Sequence, residues 1–231
     1  MDAEVSSALF DVEAAFVAHV PRVFDDGPTG PDGGRVGLGH PEIDERDPDD
    51  DLDVGAWVLA LGVTLGGPTD VRSLTPWLLG EVVHGERIDL HTALTRIAEF
   101  WADWTPSEID AVRGLVDALW RSTLDRHPGA LDPRRDDVPV PTAVAFLDAA
   151  GGLGDDPERF LAIWDYKDTA SADHHLAELV VDAFYGARVH PAVLAWALAP
   201  ARRERIRRAL HRDGVQPWAG DLAAAAELLP D

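Results

Sequence analysis

Asp173-His174-His175, followed by Glu178 and Asp182, is where residue types and spacing come closest to chemistry. On a helix each residue advances about 100°, so His174, Glu178 and Asp182 fall along one face. Leu176, Val180 and Ala183 lie opposite. Neutral imidazole together with carboxylates binds divalent cations, and an acidic neighbour orients the ring. His174, Glu178 and Asp182 are therefore the candidate metal ligands, with His175 beside them. The plainer reading is a solvated polar face in an acidic protein. A metal site needs a further ligand from another helix, and the sequence identifies none.

Two other clusters invite the same question. Glu81-Val82-Val83-His84 matches the Glu-x-x-His spacing of di-iron helical bundles, but those proteins need two such motifs and two further glutamates. Only one copy is present, and it reads better as a histidine at a helix end. Residues 201–213 carry six arginines against Glu204 and Asp213, a local charge of +4. Arg203, Arg207 and Arg208 are the candidate anion-binding residues, because guanidinium groups recognise phosphate and carboxylate. The competing reading is that this helix packs beside acidic neighbours, for instance the Glu42–Asp53 stretch, and relieves charge repulsion. Lys167, the only lysine, lies between Asp165 and Asp168, which hold its charge rather than release it. The sequence has no Gly-Lys-Ser/Thr phosphate loop, no Gly-x-Ser-x-Gly and no His-Glu-x-x-His.

The elements that must position these residues read as helices. Six prolines, Pro106, Pro141, Pro157, Pro191, Pro200 and Pro217, each stand near the start of an apolar-periodic segment, where the missing N–H costs nothing. Val5, Leu9, Val12, Phe16 and Val20 predict a first helix over 4–20, and further segments follow at 54–65, 74–83 and 88–104. Thr105-Pro106-Ser107-Glu108 is a capping box opening a long helix through Leu124. The second half predicts helices over 141–150, 157–166, 172–187, 191–199, 200–212 and 217–229. Strand signals are scarce. The expected fold is all-α, an irregular α-solenoid-like array or orthogonal bundle of about ten helices, without a constant repeat. The expected organisation is one helical domain over 1–231, with a flexible Gly/Pro-rich acidic loop at 25–53 and a point of subdivision near 128–139.

Charge sets the bounds on partners. The chain has 42 acidic and 20 basic side chains, a net charge of −22. That balance repels nucleic acid and anionic membrane and favours a basic protein. There is no cysteine, so disulfides and thiolate chemistry are excluded. No apolar run is long enough for a membrane span, and the acidic start Met1-Asp2-Ala3-Glu4 is unlike a secretory signal, so a cytoplasmic location is expected.

Trp77-Leu78-Leu79-Gly80-Glu81, the later Phe100–Glu108 stretch and His175-Leu176-Ala177-Glu178 resemble segments of uncharacterised acidic all-helical proteins of actinobacteria and other bacteria. That resemblance implies a helical fold and transfers no site. The functional expectation is a non-enzymatic protein-binding module, an antidote-like or adaptor protein covering a basic partner, with no cofactor. The alternative is a metal-dependent helical enzyme using the 173–182 face.

Overall fold

The computed structural model describes residues 2–19, 58–63, 66–84, 88–130 and 140–229, so the 25–53 segment lies outside the described residues. The fold is all-α. The helices are α1 (Ala3–Ala15), α2 (Pro68–His84), α3 (Leu90–Ala98), α4 (Pro106–Leu124), α5 (Ala143–Gly151), α6 (Glu158–Asp165), α7 (Ala170–Phe184), α8 (Pro191–Ala197), α9 (Pro200–Asp213) and α10 (Gly220–Leu228). Two short 3-10 turns, Val17–His19 and Trp101–Asp103, follow α1 and α3. No β-strand occurs among the described residues. None of the described helices is long and apolar enough to cross a membrane.

Local chemistry fixes most helix starts. Each first turn leaves N–H groups without partners, and a side-chain oxygen or nitrogen just upstream accepts one of them. Asp2, Asp89, Thr142 and Thr169 do this for α1, α3, α5 and α7. His190 does it for α8, its Nδ1 accepting the Ala192 N–H at 3.2 Å. Thr105 and Glu108 close the expected capping box at α4. Pro106, Pro191 and Pro200 occupy the first helical turn as expected. Pro141 instead precedes the cap Thr142, and Pro157 is itself the cap of α6. Pro217 lies in the turn before Gly220, because the chain still bends there, with Gln216 N–H bonded to Asp213 O and Ala219 N–H to Gln216 O.

Two helices differ from expectation more widely. The segment expected from Leu74 begins at Pro68 and places Pro76 in its interior, since the apolar pattern Val71, Leu74, Leu78, Val82 runs straight through the proline. The helix expected over 88–104 stops at Ala98 and turns through Phe100. The Phe100 ring rests on Gly62, where a Cβ would sit 2.7 Å from it and where φ is +78°. Only glycine takes that conformation and that contact readily.

Buried side chains from Val5 to Leu229 form one continuous cluster. Its centre is aromatic. Trp120 and Trp164 are fully buried and meet edge to face, 5.2 Å between ring centres. Each indole N–H finds a backbone carbonyl, Trp120 on Phe160 O at 2.9 Å and Trp164 on Ala172 O at 3.0 Å. An indole buried without such a partner would destabilise the core. The widest helix contacts are α1 on α4, α7 on α10 and α3 on α5.

Candidate functional site

Three consecutive residues of α7 reach three different helices. Successive side chains leave a helix about 100° apart, so Asp173, His174 and His175 point in three directions. All three are buried. Of the face expected to be solvated, His174 is buried, and Glu178 and Asp182 are half-buried.

Asp173 faces α9. Its Oδ1 accepts Arg205 Nε at 2.5 Å and its Oδ2 accepts Arg212 Nη2 at 3.0 Å. Arg205 also donates to the carbonyls of Trp164 and Lys167. Hydrogen bonding to Asp213 and Asp173 raises the Arg212 pKa against the opposing effect of burial. Arg202 adds an ion pair to Asp165, lies 4.6 Å from the centre of the Trp196 ring, and so fixes the start of α9 on α6 and α8. Among the described residues the basic helix packs on the acidic neighbours Asp165 and Asp173, and the Glu42–Asp53 stretch lies outside those residues. Of the candidate anion-binding residues, Arg203 is half-buried and Arg207 and Arg208 are exposed.

His174 faces α10. Its Nε2 lies 2.9 Å from Asp221 Oδ2 and its ring stacks on Trp218 at 5.3 Å. His175 faces the end of α4. Its Nε2 lies 3.0 Å from Thr123 O and 2.9 Å from Arg126 O. Both are carbonyls, so Nε2 carries the proton. Ser171 donates to Leu124 O at 2.8 Å. The last turn of a helix leaves carbonyls without partners, and α7 supplies donors to them.

The candidate metal ligands are thus drawn apart. His174 engages Asp221, Glu178 Oε2 lies 3.8 Å from His175 Nδ1, and Asp182 is half-buried one turn further on. Burial pushes the Asp182 carboxyl above the ordinary carboxylate range, and the negative charges of Glu178 and Asp221 push the same way. Among the described residues no three His, Asp or Glu side chains form a group that could hold a metal ion. His84 is the last residue of α2 and is exposed. Lys167 pairs with Asp125 at 2.7 Å.

Other cations are drawn inward the same way. Arg72 clasps the buried Glu108 through two bonds of 2.8 and 2.5 Å. Arg113 and Arg159 both bind Asp155, whose side chain is 7% exposed. Glu108 shows the strength of such a cradle. Burial alone would raise its pKa, but Arg72, the Thr105 hydroxyl and the Thr105 N–H bring it down to about 2.

Asp11 and Asp110 are among the carboxylates that face outward. A cleft of about 260 Å³ lies between α1 and α4, floored by Ala8, Ala111, Gly114 and Ala118. Asp11, Asp110 and Glu4 line it. Arg121 answers Glu4 at 2.6 Å, while Asp11 and Asp110 enter no ion pair among the described residues. Phe10, 66% exposed, stands next to Asp11 on α1. Sequence spacing gave no sign of this cleft, because its two walls are a hundred residues apart in the chain.

No protein-family model, curated protein or solved structure matches the chain.

Proposed function

We propose that this protein is a non-catalytic binding module that covers a basic protein partner with its carboxylate-rich surface, using the α1/α4 cleft as a contact point. The observation that carries the reading is the direction of the charges. Arg72, Arg113, Arg159 and Arg205 turn onto buried or half-buried carboxylates, while Asp11 and Asp110 face outward on small-residue walls. An arginine or lysine of a partner fits between two such carboxylates, and the exposed Phe10 supplies apolar contact beside them. The net charge of −22 adds long-range attraction that salt weakens.

The test is affinity capture from source-cell lysate at low and moderate ionic strength, with bound proteins identified by mass spectrometry. A basic protein captured by the wild type, released as salt rises and lost in Phe10→Ser supports the reading. Capture that ignores both salt and Phe10→Ser, or no capture at either ionic strength, contradicts it.

A further inference from the structure

A second concavity, of about 550 Å³, opens where α3, α5, α6, α7 and α8 meet. None of its lining residues belongs to the acidic cleft. Its wall is apolar, formed by Val144, Leu147, Phe160, Leu179, Val189 and Val193. Its size falls within the range of about 300–1,000 Å³ typical of small-molecule pockets.

Two carboxylates and one arginine stand at its edge. Asp155 is already neutralised by Arg113 and Arg159. Asp148 lies 3.7 Å from His91 Nδ1. Arg188 is exposed at the edge and enters no ion pair among the described residues. His190 accepts the Ala192 N–H at Nδ1, so its neutral ring carries the proton on Nε2 and is a donor there. The edge therefore offers the Arg188 guanidinium and the His190 donor above an apolar wall, with the exposed Asp148 carboxylate beside His91 on the α3/α5 side.

We propose that this pocket binds a small amphipathic monoanion, an aliphatic carboxylate of medium chain length. The carboxylate pairs with Arg188 and accepts from His190, and the chain lies along the wall. A single guanidinium balances one negative charge. A dianionic phosphate would meet the field of a −22 protein with only one cation to offset it, so the carboxylate is the better match.

The experiment is a titration of decanoate, decanol and inorganic phosphate into the isotope-labelled full chain, followed by backbone amide NMR. Decanoate is expected to shift the amides of Gly152, Val189 and His190 saturably. Arg188→Gln is expected to weaken decanoate about tenfold, the effect of one charge-assisted contact, and to leave decanol unchanged. Gly151→Leu is the blocking variant. A Cβ at Gly151 meets nothing within 4 Å, so a longer side chain has room to extend into the pocket without displacing the fold. It is expected to abolish binding of both decyl compounds while amides remote from the pocket keep their positions. Decanol binding as tightly as decanoate, phosphate binding in preference to it, shifts scattered over the surface, or no shift at all would each overturn the proposal.

Discussion

Glu108→Gln removes one charge from the best-defined buried ion pair and replaces one of its two acceptor oxygens with an NH2 group. The glutamine keeps the shape of the side chain and mimics the protonated acid. Glu108 is held at about 2, against 4.5 for an unperturbed glutamate, by Arg72 and Thr105 acting together against burial. A folded-state pKa below the unfolded value gives stability that is complete above the unfolded pKa and is lost as pH falls through the folded one. The difference between the two values corresponds to about 3 kcal/mol at neutral pH, at about 1.4 kcal/mol per unit. Glu108 is 1% exposed, so solvent screens little of this. It also matches the about 3–5 kcal/mol expected when one partner of a buried pair is removed. Urea unfolding of wild type and variant, followed by tryptophan fluorescence, measures the gap directly. The gap is expected to be about 3 kcal/mol near pH 7 and to shrink to about 1 kcal/mol near pH 3, where the wild-type unfolded chain is already protonated. Other carboxylates titrate alike in both proteins and cancel. A gap that is the same at both pH values would refute the reasoning, because the cost would then come from packing.

Further outcomes follow from the other buried groups. Asp173→Asn is expected to cost about 3 kcal/mol and to make α9 the first site of limited proteolysis, since Arg205 and Arg212 lose their shared carboxylate. Burial first, and then His174 and His175, lower the His127 pKa below its usual 6.5. Below that value the unfolded chain takes a proton the folded chain refuses, so stability falls as pH drops through about 6.5, and His127→Gln flattens the fall in thermal melts. Trp120→Ala is expected to destabilise by about 3–5 kcal/mol in urea unfolding, through loss of its stacked neighbours and of its bond to Phe160 O. Added zinc is expected to leave the melting temperature unchanged, because His174 already engages Asp221. A rise that His174→Ala abolishes would restore the metal assignment.

What could be read beforehand was local. The Thr105–Glu108 capping box is visible because its parts are three residues apart, and the structure closes it as spelled. The second duty of Glu108, clasping Arg72, is invisible because the partner is 36 residues away. The same holds at 173–175. Helical spacing placed His174 with Glu178 and Asp182, but no local pattern tells that Arg205, Asp221 and the α4 carbonyls approach from three sides. The charge of the arginine helix was countable, but its partners Asp165 and Asp173 lie on helices that precede it and share no local pattern with it; the Glu42–Asp53 stretch lies outside the described residues. The helix expected over 74–83 begins at Pro68 instead, because proline is tolerated at a helix start and the apolar pattern continues through Pro76. The decanoate-sized pocket draws on five helices and has no sequence signature.

The central claim is that the outward carboxylates of the α1/α4 cleft engage a basic partner. Charge reversal tests it most directly: affinity capture from lysate with wild type and with Asp11→Lys/Asp110→Lys in parallel at low ionic strength, after circular dichroism shows equal helix content. The account predicts that the basic protein retained by the wild type is absent from the variant. Equal retention by both would contradict it.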